Sequence, residues 1–221
     1  MIDRRHAILG LVLLPVAGPL TAQGGGLPGV FSLLGRASDS ALDKLGQPGA
    51  FFADEAVRIG LPGPLRSAGG LVQLADRAGL TNGLARSMND AASAAASAAK
   101  PIFRTAISRL TLADVPRIVS KSDGASQYLR QSAGAELQTR LRPLILSALG
   151  TTGAFGQLDR LGQSSAGGLL SGLGISRDGL TDHVTRGALD GIFKYMGAEE
   201  SKLRANPLGA AKGLLGGGIR Q

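Results

Sequence analysis

Between Leu84 and Leu110 the chain reads LARSMNDAASAAASAAKPIFRTAISRL, and its apolar positions recur every three or four residues. Leu84, Met88, Ala91, Ala95, Ala98, Ile102, Ala106 and Leu110 fall on one stripe, widened at one end by Phe103 and Ile107. That period predicts a buried helix face. As one continuous helix the stretch would be roughly 40 Å long, enough to cross a small domain. Its middle is nearly all Ala and Ser, so a neighbouring helix can approach closely there. Pro101 opposes continuity: it lacks an N–H, crowds the carbonyl of Ser97 and costs about 3 kcal/mol inside a helix. The pattern therefore predicts a kink or break between Ser97 and Pro101, within the element that organises the fold.

The same reading extends along the chain. Residues 32–45 place Leu33, Leu34, Ala37, Ala41, Leu42 and Leu45 at helical spacing and close at Gly46. GQPGAFFADEAVRIGLPGPL carries too many glycines and prolines for a long helix. It predicts an extended segment tucked against the core through Phe51, Phe52, Val57, Ile59 and Leu61. Helical spacing returns over 64–78, after which Thr81 or Asn82 caps the central element. Thr111 to Asp114 resembles a capping box and opens a short helix to about Val119. Ser122 or Asp123 caps the next helix, and residues 136–149 form another, with Leu137, Leu141, Leu144, Ile145 and Ala148 on one face and a second kink at Pro143. A Gly-rich loop is expected over 150–179. Ser176, Asp178 or Thr181 then caps a helix to about Leu203, buried through Val184, Ala188, Leu189, Ile192, Phe193 and Met196. Arg186–Asp190 and Asp190–Lys194 are i,i+4 pairs on its outer face. No period-two stretch and no internal repeat occurs. The expectation is an all-α chain: one helical domain over 32–207 with kinked helices and one irregular extended segment, between a flexible lead-in at 23–31 and a flexible tail at 208–221.

Composition changes this picture mainly at the ends. Hydrophobic residues make 43% of the 221 but aromatics only 4%, so the core must be aliphatic and Ala-rich. The opening MIDRRHAILGLVLLPVAGPLTAQGGG has a basic start at Arg4 and Arg5, an apolar run to Val16 and a small-residue cleavage site ending at Ala22. Residues 1–22 read as a secretory signal peptide, with an uncleaved anchor as the alternative. The arginine pair suits twin-arginine export and the general route alike. With no cysteine anywhere, lipoprotein anchoring, disulfides and thiolate chemistry are excluded. The periplasm is the compartment expected. The net charge is +8, and +7 once residues 1–22 are removed. In an exported protein such a balance points away from nucleic acid and toward anionic lipid head groups or other envelope polyanions. Solubility alone explains it unless the cations cluster on one face.

Four pieces of the mature chain, in order, resemble a bacterial envelope family known as domain of unknown function 4197. They are LGQPGAFFADEAVRIGLP (45–62), SMNDAASAAASAAKPIF (87–103), LTLADVPRIVSKSDGASQYLR (110–130) and LTDHVTRGALDGIFKYMGAEESKLRANP (180–207). The resemblance implies an exported helical protein and names no reaction. Two departures stand out: residues 156–179 are richer in Gly and Ser, and His183 stands where an aromatic is usual.

Catalytic templates find little purchase. Once His6 leaves with the signal peptide, His183 is the only histidine. A zinc site needs three or four ligands, and the adjacent Asp182 does not share its helix face. His183 therefore reads as a first-turn surface or capping residue. No G-x-S-x-G elbow, P-loop or dinucleotide fingerprint occurs, and no cofactor or metal is assigned. Glu199 and Glu200, followed by Lys202 and Arg204, read as a solvated, salt-bridged turn in preference to an acid–base pair. Arg58 lies between Val57 and Ile59, so it either snorkels out or forms a structural ion pair. Asn89, beside the Met88 stripe, bridges helices or faces solvent.

The leading functional expectation is a non-enzymatic envelope binding or scaffold protein, one version of which holds a lipid or apolar ligand between kinked helices. A protein-interaction or chaperone-like module, with an exposed apolar patch, is the alternative. A carboxylate-dependent hydrolase built on Glu199 or Asp182 comes third. No stable transmembrane segment is expected in the mature chain, and the glycines of 208–219 argue against an interfacial helix there.

Overall fold

The computed structural model describes residues 27–63, 65, 79–111, 121–163 and 175–206. Within them the chain is all-α: helices α1 (Leu27–Leu45), α2 (Ala50–Ala53), α3 (Leu80–Ala98), α4 (Lys100–Ser108), α5 (Gly124–Thr151), α6 (Ala154–Gln163) and α7 (Arg177–Ala205). No strand occurs among the described residues. The signal peptide, the helix expected within 112–119, most of the helical stretch expected at 64–78 and the tail at 208–221 lie outside them.

α3 touches every other helix, as expected of the organising stretch. α7 lies along both α5 and α1. The core runs through Leu34, Leu42, Leu84, Met88, Phe103, Leu129, Leu137, Leu141, Val184, Ile192 and Met196, all buried. The break before Pro101 falls at Ala99, whose carbonyl accepts from Ile102 and Phe103 as the chain restarts with Pro101 in the first turn. The restart turns the buried face. Ala98 is exposed and Ile102 half-buried, while Ala96, Ala99, Phe103, Ala106 and Ile107 carry the stripe onward.

Several expectations need correction. Thr81 and Asn82, foreseen as caps, lie inside α3, whose N-terminal cap position is Gly79 with no side-chain capping bond. The helices foreseen around Tyr128 and over 136–149 are one 28-residue helix, running through Pro143 without a break. Pro143 and Thr139 are both exposed, so the Thr139 carbonyl left without its helical partner faces water. The Gly-rich loop foreseen over 150–179 contains α6, whose Leu158 and Leu161 pack into the core. The first helix also begins earlier than residue 32, at Leu27, and buries Val30.

The expectation of an extended segment holds only in part. Phe51 and Phe52 lie in the short helix α2, and residues 54–57 turn, with Val57 and Arg58 N–H donating to the Asp54 carbonyl. Residues 58–60 run without helix or turn, and Phe51, Val57 and Ile59 are buried. The segment lies against α7 because two glycines there remove the obstacle. A Cβ on Gly191 would stand 2.7 Å from the Phe51 ring, and one on Gly187 would stand 3.0 Å from Ile59. On the far side Asn89 of α3 holds the segment: Oδ1 accepts from Ile59 N–H and Nδ2–H donates to the Ile59 carbonyl, both at 2.8 Å.

Candidate functional site

The seam between this extended segment and α7 forms a groove of about 280 Å³, lined by Arg58, Ile59, His183, Gly187, Asp190 and Lys194 among others. His183, Gly187, Asp190 and Lys194 share one face of α7 because they follow the 3.6-residue period. The groove therefore joins two sequence pieces that carry the family resemblance, 45–62 and 180–207.

Its shape is held by side chains that donate to backbone. Lys194 Nζ donates to the Ala56 carbonyl at 3.0 Å, and Arg58 Nε donates to the Phe52 carbonyl at 2.6 Å. His183 Nε2 lies 2.8 Å from the Gly60 carbonyl oxygen, which can only accept, so Nε2 carries the proton. Beneath them Asp54 turns the chain: Oδ1 accepts from Ala56 N–H at 2.8 Å and Oδ2 accepts from the Tyr195 hydroxyl at 2.5 Å. The Tyr195 bond, then the Ala56 N–H, hold the Asp54 carboxyl below its usual range against the effect of burial, with smaller pulls from Lys194 and Arg58. The same bond, aided by burial and by the charges of Asp54 and Glu199, pushes the Tyr195 hydroxyl up to about 12. Tyr195 is thus a fixed donor, not a base.

The charge arrangement differs from the sequence expectation. Asp190 was expected to pair along its own helix with Arg186 and Lys194; it pairs instead with Arg130 of α5. Arg186 and Lys194 are left with no carboxylate partner among the described residues. Arg58 has only a loose contact, 4.0 Å, to the exposed Glu55. Beside it Arg86 of α3 and Arg58 both stack on Phe52, their guanidinium carbons 4.5 and 5.1 Å from the ring centre. Elsewhere several basic side chains are met by acids, as in Arg104–Asp39, Arg177–Asp159 and Lys100–Asp43, whereas Lys121 and Arg160 form no ion pair among the described residues.

The six candidate residues do not form one site. Arg58 and His183 meet in the groove, and Asn89 supports it from behind. Arg58 neither meets a buried carboxylate nor simply snorkels; it clips the Phe52 carbonyl and stacks on that residue's ring. Asp182 faces away and shares Arg142 with Asp178. Glu199, seventeen residues on, is about 25 Å from Asp182 along the helix. It binds Ser40, Lys44 and Lys202. Glu200 corrects the reading of a solvated turn, because it is completely buried. Its Oε1 accepts from Ala125 N–H and from Arg204, and its Oε2 from Ser126 N–H and Oγ. It caps α5 from another helix, in the place foreseen for Ser122 or Asp123; Asp123 makes no side-chain capping bond. Ser176, by contrast, caps α7 as foreseen, accepting from Gly179 N–H at 3.0 Å.

Sequence reasoning missed Lys194, which lines the groove, and Arg86, which shares the Phe52 ring with Arg58. The helical register of Lys194 with His183 was legible, but the capture of Asp190 by a helix 60 positions away was not. Among the described residues no group of three His, Asp or Glu side chains gathers to hold a metal ion, and no helix is long and apolar enough to cross a membrane. The aliphatic residues where α3, α5 and α7 face one another, including Leu84, Met88, Leu137, Leu141, Val184 and Ile192, have no accessible surface.

No curated protein and no solved structure matches the chain. The family described as "Protein of unknown function (DUF4197)" matches residues 27–217, most of the chain, and the chain belongs to that family.

Proposed function

We propose that the protein is an exported, non-enzymatic component of the bacterial envelope that binds an anionic partner in the groove between residues 54–60 and α7. The observation that carries this reading is that Lys194 and Arg58 line the groove without a close ion pair, Asp190 being engaged by Arg130 and Glu55 reaching Arg58 only at 4.0 Å, while Arg86 shares the Phe52 ring with Arg58. Like charges held together at a surface repel one another, and a bound anion relieves that repulsion. Solubility alone explained the basic balance only while the cations were dispersed.

Export rests on the signal-like residues 1–22 and the absence of cysteine. A cavity holding an apolar ligand would leave accessible surface on its lining, which the facing residues of α3, α5 and α7 lack. The exposed large hydrophobic among the described residues is Leu146, alone, so a broad apolar docking patch has no support there. The separation of Asp182 from Glu199 leaves the hydrolase reading without convergent carboxylates.

The test is an amide-resolved titration of the isotope-labelled protein with inorganic pyrophosphate at low ionic strength. Shifts concentrated at 54–60 and 183–194, and weakened in Lys194→Ala, are expected. Shifts that are absent or scattered over the surface would overturn the proposal.

A further inference from the structure

We infer that the anion taken by the groove is the phosphate of an anionic phospholipid head group, and that the protein docks through this face on a membrane surface. The inference rests on the anion-binding reading above and names its ligand. Its first support is donor geometry. Arg58 and Lys194 each spend one N–H on a backbone carbonyl, which fixes the arm, and keep several more: a guanidinium has five and an ammonium three. Arg58 and Arg86 both rest on the Phe52 ring, and Arg58 shares the groove lining with Lys194, so a second guanidinium adjoins the two cations of the groove. A carboxylate is satisfied by a single bidentate fork, whereas a phosphate offers enough oxygens to engage several donors at once.

The second support is shape. The groove is partly open to solvent and counts Gly187 and Gly191 among its lining. Pockets for small soluble ligands bury most of the ligand's surface, whereas this groove leaves one side exposed. A membrane removes that requirement, because it presents phosphates at high local density and sums many weak contacts. The absence of an exposed large hydrophobic on the groove's lining points to adsorption at the head groups without insertion.

The test is co-sedimentation of full-length protein with vesicles of equal parts phosphatidylcholine and phosphatidylglycerol. Wild-type and variant chains carry the same leader, whose own lipid affinity cancels in the comparison. Arg86→Ala with Arg186→Ala removes two charges whose loss breaks no hydrogen bond or ion pair among the described residues. Lys121→Ala with Arg160→Ala removes the same charge elsewhere on the surface, from the approach to α5 and from α6. Each cation flanking the groove, Arg86 beside Phe52 and Arg186 one turn from Asp190 on α7, is expected to contribute about fivefold, so the first pair lowers the vesicle partition coefficient roughly 25-fold at low salt. The second pair changes it less than threefold, and raising the salt releases the wild type. Equal losses from both pairs, or no loss from the first, would overturn the inference. If pyrophosphate still perturbs the groove in that case, the anion site stands and only its lipid assignment falls; if pyrophosphate also fails, both fall.

Discussion

Asn89 and Ile59 exchange two hydrogen bonds across the interior, each 2.8 Å long, so that a side-chain amide on a helix serves an extended segment as a neighbouring strand would. A third bond, from Nδ2 to the Ala85 carbonyl at 2.7 Å, fixes the amide's orientation. Asn89 has no exposed surface, so nothing replaces these bonds if it is cut back. Asn89→Ala orphans the N–H and the carbonyl of Ile59, each at about 1–3 kcal/mol. The expected loss is roughly 2–4 kcal/mol of unfolding free energy, read from urea midpoints. Asn89→Asp keeps the shape but sets a carboxylate oxygen against two carbonyls, and is expected to cost at least as much near neutral pH. Unchanged midpoints in both variants would show that the segment is held by its apolar contacts alone.

Glu200 ties the end of α7 to the start of α5, where the helix's first N–H groups lack partners of their own. Removing it leaves those buried N–H groups without their acceptor and takes from Arg204 its ion-pair partner. Glu200→Ala is expected to lower stability by about 3–5 kcal/mol. Glu200→Gln, which keeps one acceptor and loses the charge, is expected to fall between that variant and the wild type. Hydrogen exchange locates the damage: faster exchange at Ala125 and Ser126 is expected, and protection unchanged there would contradict the capping role.

The extent of sequence legibility follows from the range of the forces involved. The stripe from Leu84 to Leu110, its break ahead of Pro101 and the buried face of α7 depend on helical period and on one missing N–H, both local. Pro143 shows the limit of the same local rule: the penalty fell where water could satisfy the orphaned carbonyl, and the helix continued. Among the site residues, Arg58 and His183 were singled out because their residue types were conspicuous. Glu200 was misread because its partners lie 74 and 75 positions away, and nothing near it in sequence announces burial. The free charge of Lys194 was hidden for the same reason. Its expected partner, Asp190, is in reach along the helix but engaged across it.

The glycines of α7 and α5 separate packing from helix propensity. A Cβ at Gly191 would meet the Phe51 ring at 2.7 Å and Val57 at 3.2 Å. Gly191→Ala is therefore expected to lose about 1–3 kcal/mol through overpacking, despite alanine's better helix propensity. Gly134, mid-helix in α5, has only the flexible Arg130 side chain nearby, at 3.9 Å. Gly134→Ala is expected to raise stability by about 0.5–1 kcal/mol. Thermal unfolding of the two variants should move in opposite directions. A stabilised Gly191→Ala would mean that the extended segment does not press on α7.

Glu199 supplies the clearest pH dependence. Burial pushes its carboxyl up, but the hydrogen bonds from Lys44, Lys202 and Ser40, with the charge of Lys44, together outweigh burial and bring it from 4.5 down to about 2. A carboxylate lowered by folding stabilises fully above its unfolded value and loses that contribution as pH falls through the folded one. The window is therefore about pH 4.5 to 2. Both lysines are largely exposed, at 49% and 68%, so solvent screening reduces the gain to on the order of 2 kcal/mol. Other carboxylates titrate in the same range, so the informative quantity is the stability gap between wild type and Glu199→Gln. That gap is expected to be widest above about pH 5 and to close toward about pH 2.5, and added salt should narrow it at the upper end. A gap independent of pH would show that the three bonds act through shape and not through charge. One that widened in acid would reverse the sign and remove the lysines as the cause.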